Sequence, residues 1–252
     1  MPSISTTNDG VKVKIFWDAP DTNFAPLKSY TLQVLTNNGL TFADANSFCD
    51  EDAATILSAR LCTMTLVELR AFPFSLTFNK FVIARVKSEN QFGESDYSQT
   101  NIMGATIRTE PQQIKGLEYL PLESNDITIS LKWLPLVTQF EVGGETIITY
   151  NLQWDEGTDG VSWKDVQGQE SIPSLTTSAQ VVTNHLILGN TYKFRLQALN
   201  IHGWSFNLAT LTVLHSFITI KPDAPTITMQ NLYVKIAWNE PSDLRAAPVT
   251  AY

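Results

Sequence analysis

The sequence predicts an all-β chain of tandem two-sheet sandwiches, two of them complete and a third represented by its opening strands. Three observations predict it. One phrase occurs three times: Val11-Lys12-Val13-Lys14-Ile15-Phe16-Trp17-Asp18-Ala19-Pro20, then Ile129-Ser130-Leu131-Lys132-Trp133-Leu134-Pro135, then Val234-Lys235-Ile236-Ala237-Trp238-Asn239-Glu240-Pro241. Each copy alternates, ends in Trp and is closed by Pro, and a tyrosine follows it, at Tyr30, Tyr150 and Tyr252. A period of about one small domain is the mark of tandem modules. The second observation is strand-type alternation along nearly the whole chain, rich in β-branched and aromatic residues. The third is turn chemistry between the alternating runs.

Taken in order, strands are expected over Lys28–Val34, Phe81–Val86, Ile127–Trp133, Ile147–Trp154, Tyr192–Leu199 and Val234–Trp238. Asn38-Gly39, Asp159-Gly160, Gly189-Asn190 and His202-Gly203 punctuate them; Asp159-Gly160 has the residue types that supply positive φ in a tight hairpin. Only Glu51 to Arg60 departs from the pattern, where Asp52 is placed to cap a short helix through Ala53, Ala54, Ile56 and Leu57. Two matching joints, Thr106-Ile107-Arg108-Thr109-Glu110-Pro111 and Thr219-Ile220-Lys221-Pro222-Asp223-Ala224-Pro225, set module boundaries at residues 1–107, 112–220 and 225–252. Proline ends the strand at each joint and makes a short, stiff linker. After Pro225 there is room for two strands and the start of a third. Half a sandwich cannot bury its inner face, so the chain reads as a piece of a longer repeat protein.

The 252 residues carry a formal charge of −8, which argues against a nucleic-acid partner, where a basic stripe is expected. The most apolar stretch, Leu211 to Ile220, is strand-length and broken by polar residues, so no membrane span is expected in this segment. The start, Met1-Pro2-Ser3-Ile4-Ser5-Thr6-Thr7, lacks the features of a signal peptide: the chain is either cytosolic or part of a protein whose signal lies upstream. Cys49 and Cys62, with twelve residues between them, lack metal-site spacing. The spacing suits equally a bridge or two free thiols.

Little of the chain suggests chemistry. His185, His202 and His215 have no nucleophile in motif context. Asp155-Glu156-Gly157-Thr158-Asp159-Gly160 has some of the composition of a calcium loop but lacks an acid at its third position, and Val166 stands where the closing Glu belongs. Asp50-Glu51-Asp52 reads as a solvated helix start, favoured by the dipole. No catalytic residue, cofactor or metal is expected. Trp204, in a turn after Gly203, is the tryptophan expected to be exposed to a partner. The sequence contains neither an Arg-Gly-Asp tripeptide nor an Asn-x-Ser/Thr sequon.

These residues resemble the fibronectin type III family, an immunoglobulin-like sandwich. Its core Trp matches Trp17, Trp133 and Trp238, and the Tyr opening its third strand matches Tyr30, Tyr150 and Tyr252. The longest match is Leu186-Ile187-Leu188-Gly189-Asn190-Thr191-Tyr192-Lys193-Phe194-Arg195-Leu196-Gln197-Ala198-Leu199-Asn200, followed by Gly203 and Ser205. The resemblance implies core roles for Leu186, Tyr192 and Phe194, with Tyr192 at the tyrosine corner, its hydroxyl returning to nearby backbone. In the first module Val82 replaces that Tyr and Asn79 takes the glycine position, where Asn tolerates left-handed backbone. This variant resembles repeats of large surface proteins of ciliated protozoa, through Cys49-Asp50, Cys62 and Pro73-Phe74-Ser75-Leu76 in order. That resemblance implies a Cys49–Cys62 disulfide and hence an oxidising, extracytoplasmic setting. It further implies a non-catalytic spacer and protein-binding scaffold, extracellular or on the cell surface, whose partners are proteins or neighbouring repeats. The alternatives are an intracellular cytoskeletal-type scaffold of the same fold, or a non-catalytic arm of a larger secreted enzyme.

Overall fold

A computed structural model describes residues 3–217 and 221–240. The chain divides into two compact units: unit 1 is Met1–Pro111 with Thr138–Thr146 and Asn200–Gly203, and unit 2 is Gln112–Val137, Ile147–Leu199 and Trp204–Tyr252.

Unit 1 begins with β1 (Ile4–Asp9) and β2 (Lys12–Trp17), an antiparallel hairpin. Alternation sends Ile4, Thr6, Val13, Ile15 and Trp17 to one face, and all five are buried. In β3 (Leu27–Leu35) the same period buries Tyr30, Leu32 and Val34. Next come β4 (Phe42–Asp44), a single 3-10 turn at Asn46–Phe48, helix α1 (Ala53–Ala59), β5 (Leu61–Thr65), helix α2 (Leu66–Arg70), β6 (Ala84–Asn90) and the short β7 (Gly93–Glu94). One sheet has the order β1-β2-β5 and the other β4-β3-β6-β7. Their inner faces supply one apolar core, in which Trp17 meets Tyr30 edge-on at 5.2 Å between centroids. The sandwich connections carry both helices. Asp52 accepts the Thr55 amide at 2.7 Å to start α1, and Thr65 with Glu68 forms a reciprocal capping box on α2.

β6 starts three residues later than the alternation of Phe81–Val86 suggests. Residues 81–83 lie outside the ladder: the Val82 amide donates to the Ala105 carbonyl at 2.9 Å, and Ile83 accepts from Leu35. A buried polar network explains this, since Asn101 Nδ2 and Thr6 Oγ1 both donate to the Val82 carbonyl while Asn101 Oδ1 accepts the Ala84 amide. Asn79 has φ of 63°, the left-handed backbone expected of it.

The same strand order recurs in β8 (Glu118–Tyr119), β9 (Thr128–Lys132), β10 (Thr149–Trp154), β11 (Lys164–Gln167), β12 (Ser178–Val182), β13 (Thr191–Asn200), β14 (Gly203–Trp204) and β15 (Ala209–Leu214). One sheet runs β12-β9-β8 and the other β11-β10-β13-β14, with β15 also on β13. Trp133 is buried beside Tyr150, and Tyr150 Oη accepts the Leu136 amide at 3.0 Å. Phe194 and Tyr192 are buried, and Tyr192 Oη accepts the Ile187 amide at 2.9 Å, a tyrosine-corner bond. Leu186, expected in the core, is only half-buried. The Tyr192 ring, packed between Trp154 and His215, already fills that end of the sandwich and leaves Leu186 at its margin.

Last among the described residues is a hairpin of β16 (Thr226–Gln230) and β17 (Tyr233–Ala237). Its register places Ile227 opposite Ile236 and Met229 opposite Val234, so one face is wholly apolar and exposed. Trp238, expected in a core, is 55% exposed because no second sheet among the described residues opposes this face. Tyr252, Pro241 and the Thr219-Ile220 part of the second joint lie outside the described residues. No helix among the described residues is long and apolar enough to cross a membrane.

Candidate interaction surface

Unit 1 displays aromatic side chains at one end through two connections. In the link from β2 to β3, Asp21 Oδ1 accepts the Asn23 amide at 2.9 Å and Ala25 donates back to the Thr22 carbonyl. This side-chain turn holds Asn23 and Phe24 at φ of 47° and 62°, uncommon for Asn and costly for a bulky residue. Ala25 is buried and Phe24 is driven fully into solvent. In the link from β6 to β7, Asn90 Oδ1 accepts the Phe92 amide at 2.8 Å and leaves Phe92 82% exposed. Asp21, Asn23, Leu27, Asn90, Phe92 and Glu94 line an open cleft of about 220 Å³ between the two links. That is below the usual size of a small-molecule pocket and comparable to one large side chain. The segments 18–28 and 87–96 carry five carboxylates against two lysines. Glu94 pairs with Lys87.

Elsewhere the polar chemistry is committed to the fold. On the outer face of the β4-β3-β6-β7 sheet, Arg85 donates twice to Gln33 Oε1 and lies over the rings of Phe42 and Tyr97 at 3.9 and 4.1 Å. The second sandwich repeats this pair: Arg195 donates to Gln153 Oε1 at 2.6 Å and covers Trp163. Beside it Asp165 accepts from Asn151, Gln153 and Gln169. Burial works to raise the Asp165 pKa, but these three donors, with the charge of Arg195, hold the carboxyl below the usual range.

The acidic run at Cys49 divides among three tasks: Asp50 pairs with Lys12 at 2.8 Å, Glu51 takes both the amide and hydroxyl of Thr63, and Asp52 caps α1. Asp155 is fully buried and accepts three backbone amides, from Gly157, Gly160 and Lys193. It is thus the organiser of a nine-residue connection from β10 to β11. Asp159 and Gly160 do take positive φ, but inside this longer loop rather than as a two-residue hairpin. Cys49 and Cys62 form a disulfide that ties the segment after β4 to β5. His185 is exposed, His215 is buried between the carbonyls of Ile187 and Asn125, and His202 is half-buried. Trp204, expected to be exposed in a turn, is half-buried at the end of β14, just past the turn from β13.

Sequence reasoning passed over Phe24 and Phe92. A signal was available: in Asp21-Thr22-Asn23-Phe24 and Asn90-Gln91-Phe92 an Asp or Asn able to accept the amide two residues on precedes each aromatic. It also missed α2, announced by Thr65-Leu66-Val67-Glu68.

No protein-family model matches the chain. Among solved structures it is similar to the FN1–FN3 domains of chicken CNTN1, with 14% identity and a TM-score of 0.38, over 96% of this chain and 74% of that one. It is also similar to domains A168-A170 from titin, with 18% identity and a TM-score of 0.39, over 81% of this chain and 58% of that one.

Proposed function

We propose that this chain is a non-catalytic segment of a multi-repeat surface or secreted protein of fibronectin type III type, acting as spacer and as protein-binding scaffold. Its modules are residues 1–107, 112–220 and 225–252. The observation that carries the reading is the loop end of unit 1, where Phe92 lines a cleft sized for one side chain and Phe24, next to the lining residue Asn23, stands in solvent. Exposed aromatics on rigid turns are the residue type that anchors protein interfaces, and loops held by a sandwich are where such anchors sit. The Cys49–Cys62 bond supports an oxidising compartment.

The test is photo-crosslinking on intact cells of the native source. Benzoylphenylalanine at position 24 or 92 is expected to give light-dependent adducts with a protein, and the same probe at the exposed Val161 is not. Adducts no stronger at 24 and 92 than at 161 would overturn the assignment of this surface.

A further inference from the structure

The most unusual polar group in unit 1 is the His202 ring. Its Nε2 is shut off from solvent and has no hydrogen-bond partner. The charged groups facing it come from every neighbouring segment: Arg70 at the end of α2, Arg108 and Glu110 from the stretch after β7, and Glu145 from the connection between β9 and β10. Both carboxylates are paired with an arginine. Glu110 receives Arg70 in a bidentate pair at 3.0 and 2.9 Å, and Glu145 receives Arg108 Nη1. The residue carrying the ring is held by its neighbour: Asn200 Nδ2 donates to the carbonyls of Thr109 and Val142 at 2.8 and 2.9 Å, and Asn200 Oδ1 accepts the His202 amide.

Whichever tautomer the neutral ring adopts, the imidazolium must carry a proton on Nε2, and nothing in the closed arrangement accepts it. A buried, unpaired N–H on a charged ring is among the costliest polar defects a fold can hold. The relief available is to turn the ring into water, which breaks the Asn200 bonds on either side. We propose that His202 is an acid-sensitive latch, whose protonation releases residues 200–203 and 138–146 from Thr109 and its neighbours within unit 1. Burial depresses the basicity of His202 below the ordinary imidazole range; Glu145 and Glu110 pull the other way, and Arg108 and Arg70 reinforce the depression. The sign follows. A histidine with a depressed folded pKa favours the closed state above the ordinary value of about 6.5 and loses that contribution as pH falls below it. This inference is independent of the partner surface proposed above.

The experiment is amide exchange on the full chain at pH 7.5 and 5.5, corrected for intrinsic rates. The Thr109 amide, which donates to the Gly143 carbonyl at 2.9 Å, reports the latch, and the Val34 amide in β3 serves as control. The opening equilibrium at Thr109 is expected to rise roughly threefold or more at the lower pH, with none of this rise at Val34. His202→Gln, or His202→Phe if that variant folds better, is expected to remove the pH response. A direct NMR titration of the His202 ring in the unaltered chain gives a second reading. A midpoint at or above about 6.5, or an equal pH response at Thr109 with and without His202, would overturn the latch.

Discussion

Val82 and Tyr192 occupy equivalent places in the two sandwiches, and different backbone groups are satisfied beside them. Tyr192 sends its hydroxyl to the Ile187 amide; at Val82, which has no such group, Thr6 and Asn101 bond the backbone instead. The tyrosine was legible because its motif is contiguous, while the Asn101–Thr6 solution spans most of unit 1 and leaves no local trace. Tyr192→Phe should destabilise unit 2 by about 1–3 kcal/mol, since the Ile187 amide loses its acceptor. Urea unfolding followed by unit 2 amides would measure it, and a loss below a few tenths would mean that water replaces the hydroxyl. Asp165 carries a pH dependence. Its folded pKa lies below the unfolded value, so its contribution is complete above the ordinary carboxylate range and is lost as pH falls below about 4. Asp165→Asn should flatten the acid limb of unit 2 stability as pH falls below about 4; an unchanged limb would show that other carboxylates control it.

At the scale of elements, alternation was a good guide wherever one face of a strand is buried, as in β2, β3 and most of β13, because a one-residue error would turn the core outward. It failed where side-chain hydrogen bonds outrank the ladder. β6 is displaced by the Asn101 network, and the turn at Asp159-Gly160 is absorbed into a loop that Asp155 organises. No residue pattern announces such a carboxylate, since its partners are amides that every residue carries. The proposed interaction surface was similarly dark: loop aromatics look alike in sequence whether they point in or out. The disulfide sits across the segment carrying α1 and closes a loop of sequence separation 13. Replacing both cysteines by Ala should lower unit 1 stability by about 3 kcal/mol in the chain-entropy model and leave unit 2 unchanged. Denaturant-dependent exchange mass spectrometry resolves the two, and an equal loss in both units would contradict a local role for the bridge.

Over the whole molecule, protection should be uneven. The buried strands around Tyr30 and Tyr192 ought to exchange at rates set by global unfolding, whereas β16 and β17, whose residues are all exposed, ought to exchange almost freely. Strong protection of the Ile227 and Ile236 amides in the dilute chain would show that this hairpin is held by contacts its exposure does not suggest. The repeated phrase made β17 legible as a strand, since Val234, Ile236 and Trp238 keep the spacing of Val13, Ile15 and Trp17. It said nothing of whether the apolar face would be covered, which depends on long-range partners.

That hairpin also has a colloidal consequence. Its unshared amides and carbonyls, beside a face of Ile227, Met229, Val234 and Ile236, offer a template on which like molecules stack. Opposing this is the charge of −8 on every chain, which keeps molecules apart in dilute buffer. Salt removes the repulsion and leaves the template untouched, because a Debye length of about 30 Å at 0.01 M shrinks to about 8 Å at 0.15 M. Light scattering at fixed protein concentration should therefore climb with added salt, the reverse of an assembly held by ion pairs. Ile236→Lys, which puts a charge in the middle of the apolar face, should flatten that climb; scattering that rises just as steeply in this variant would place the sticky surface elsewhere.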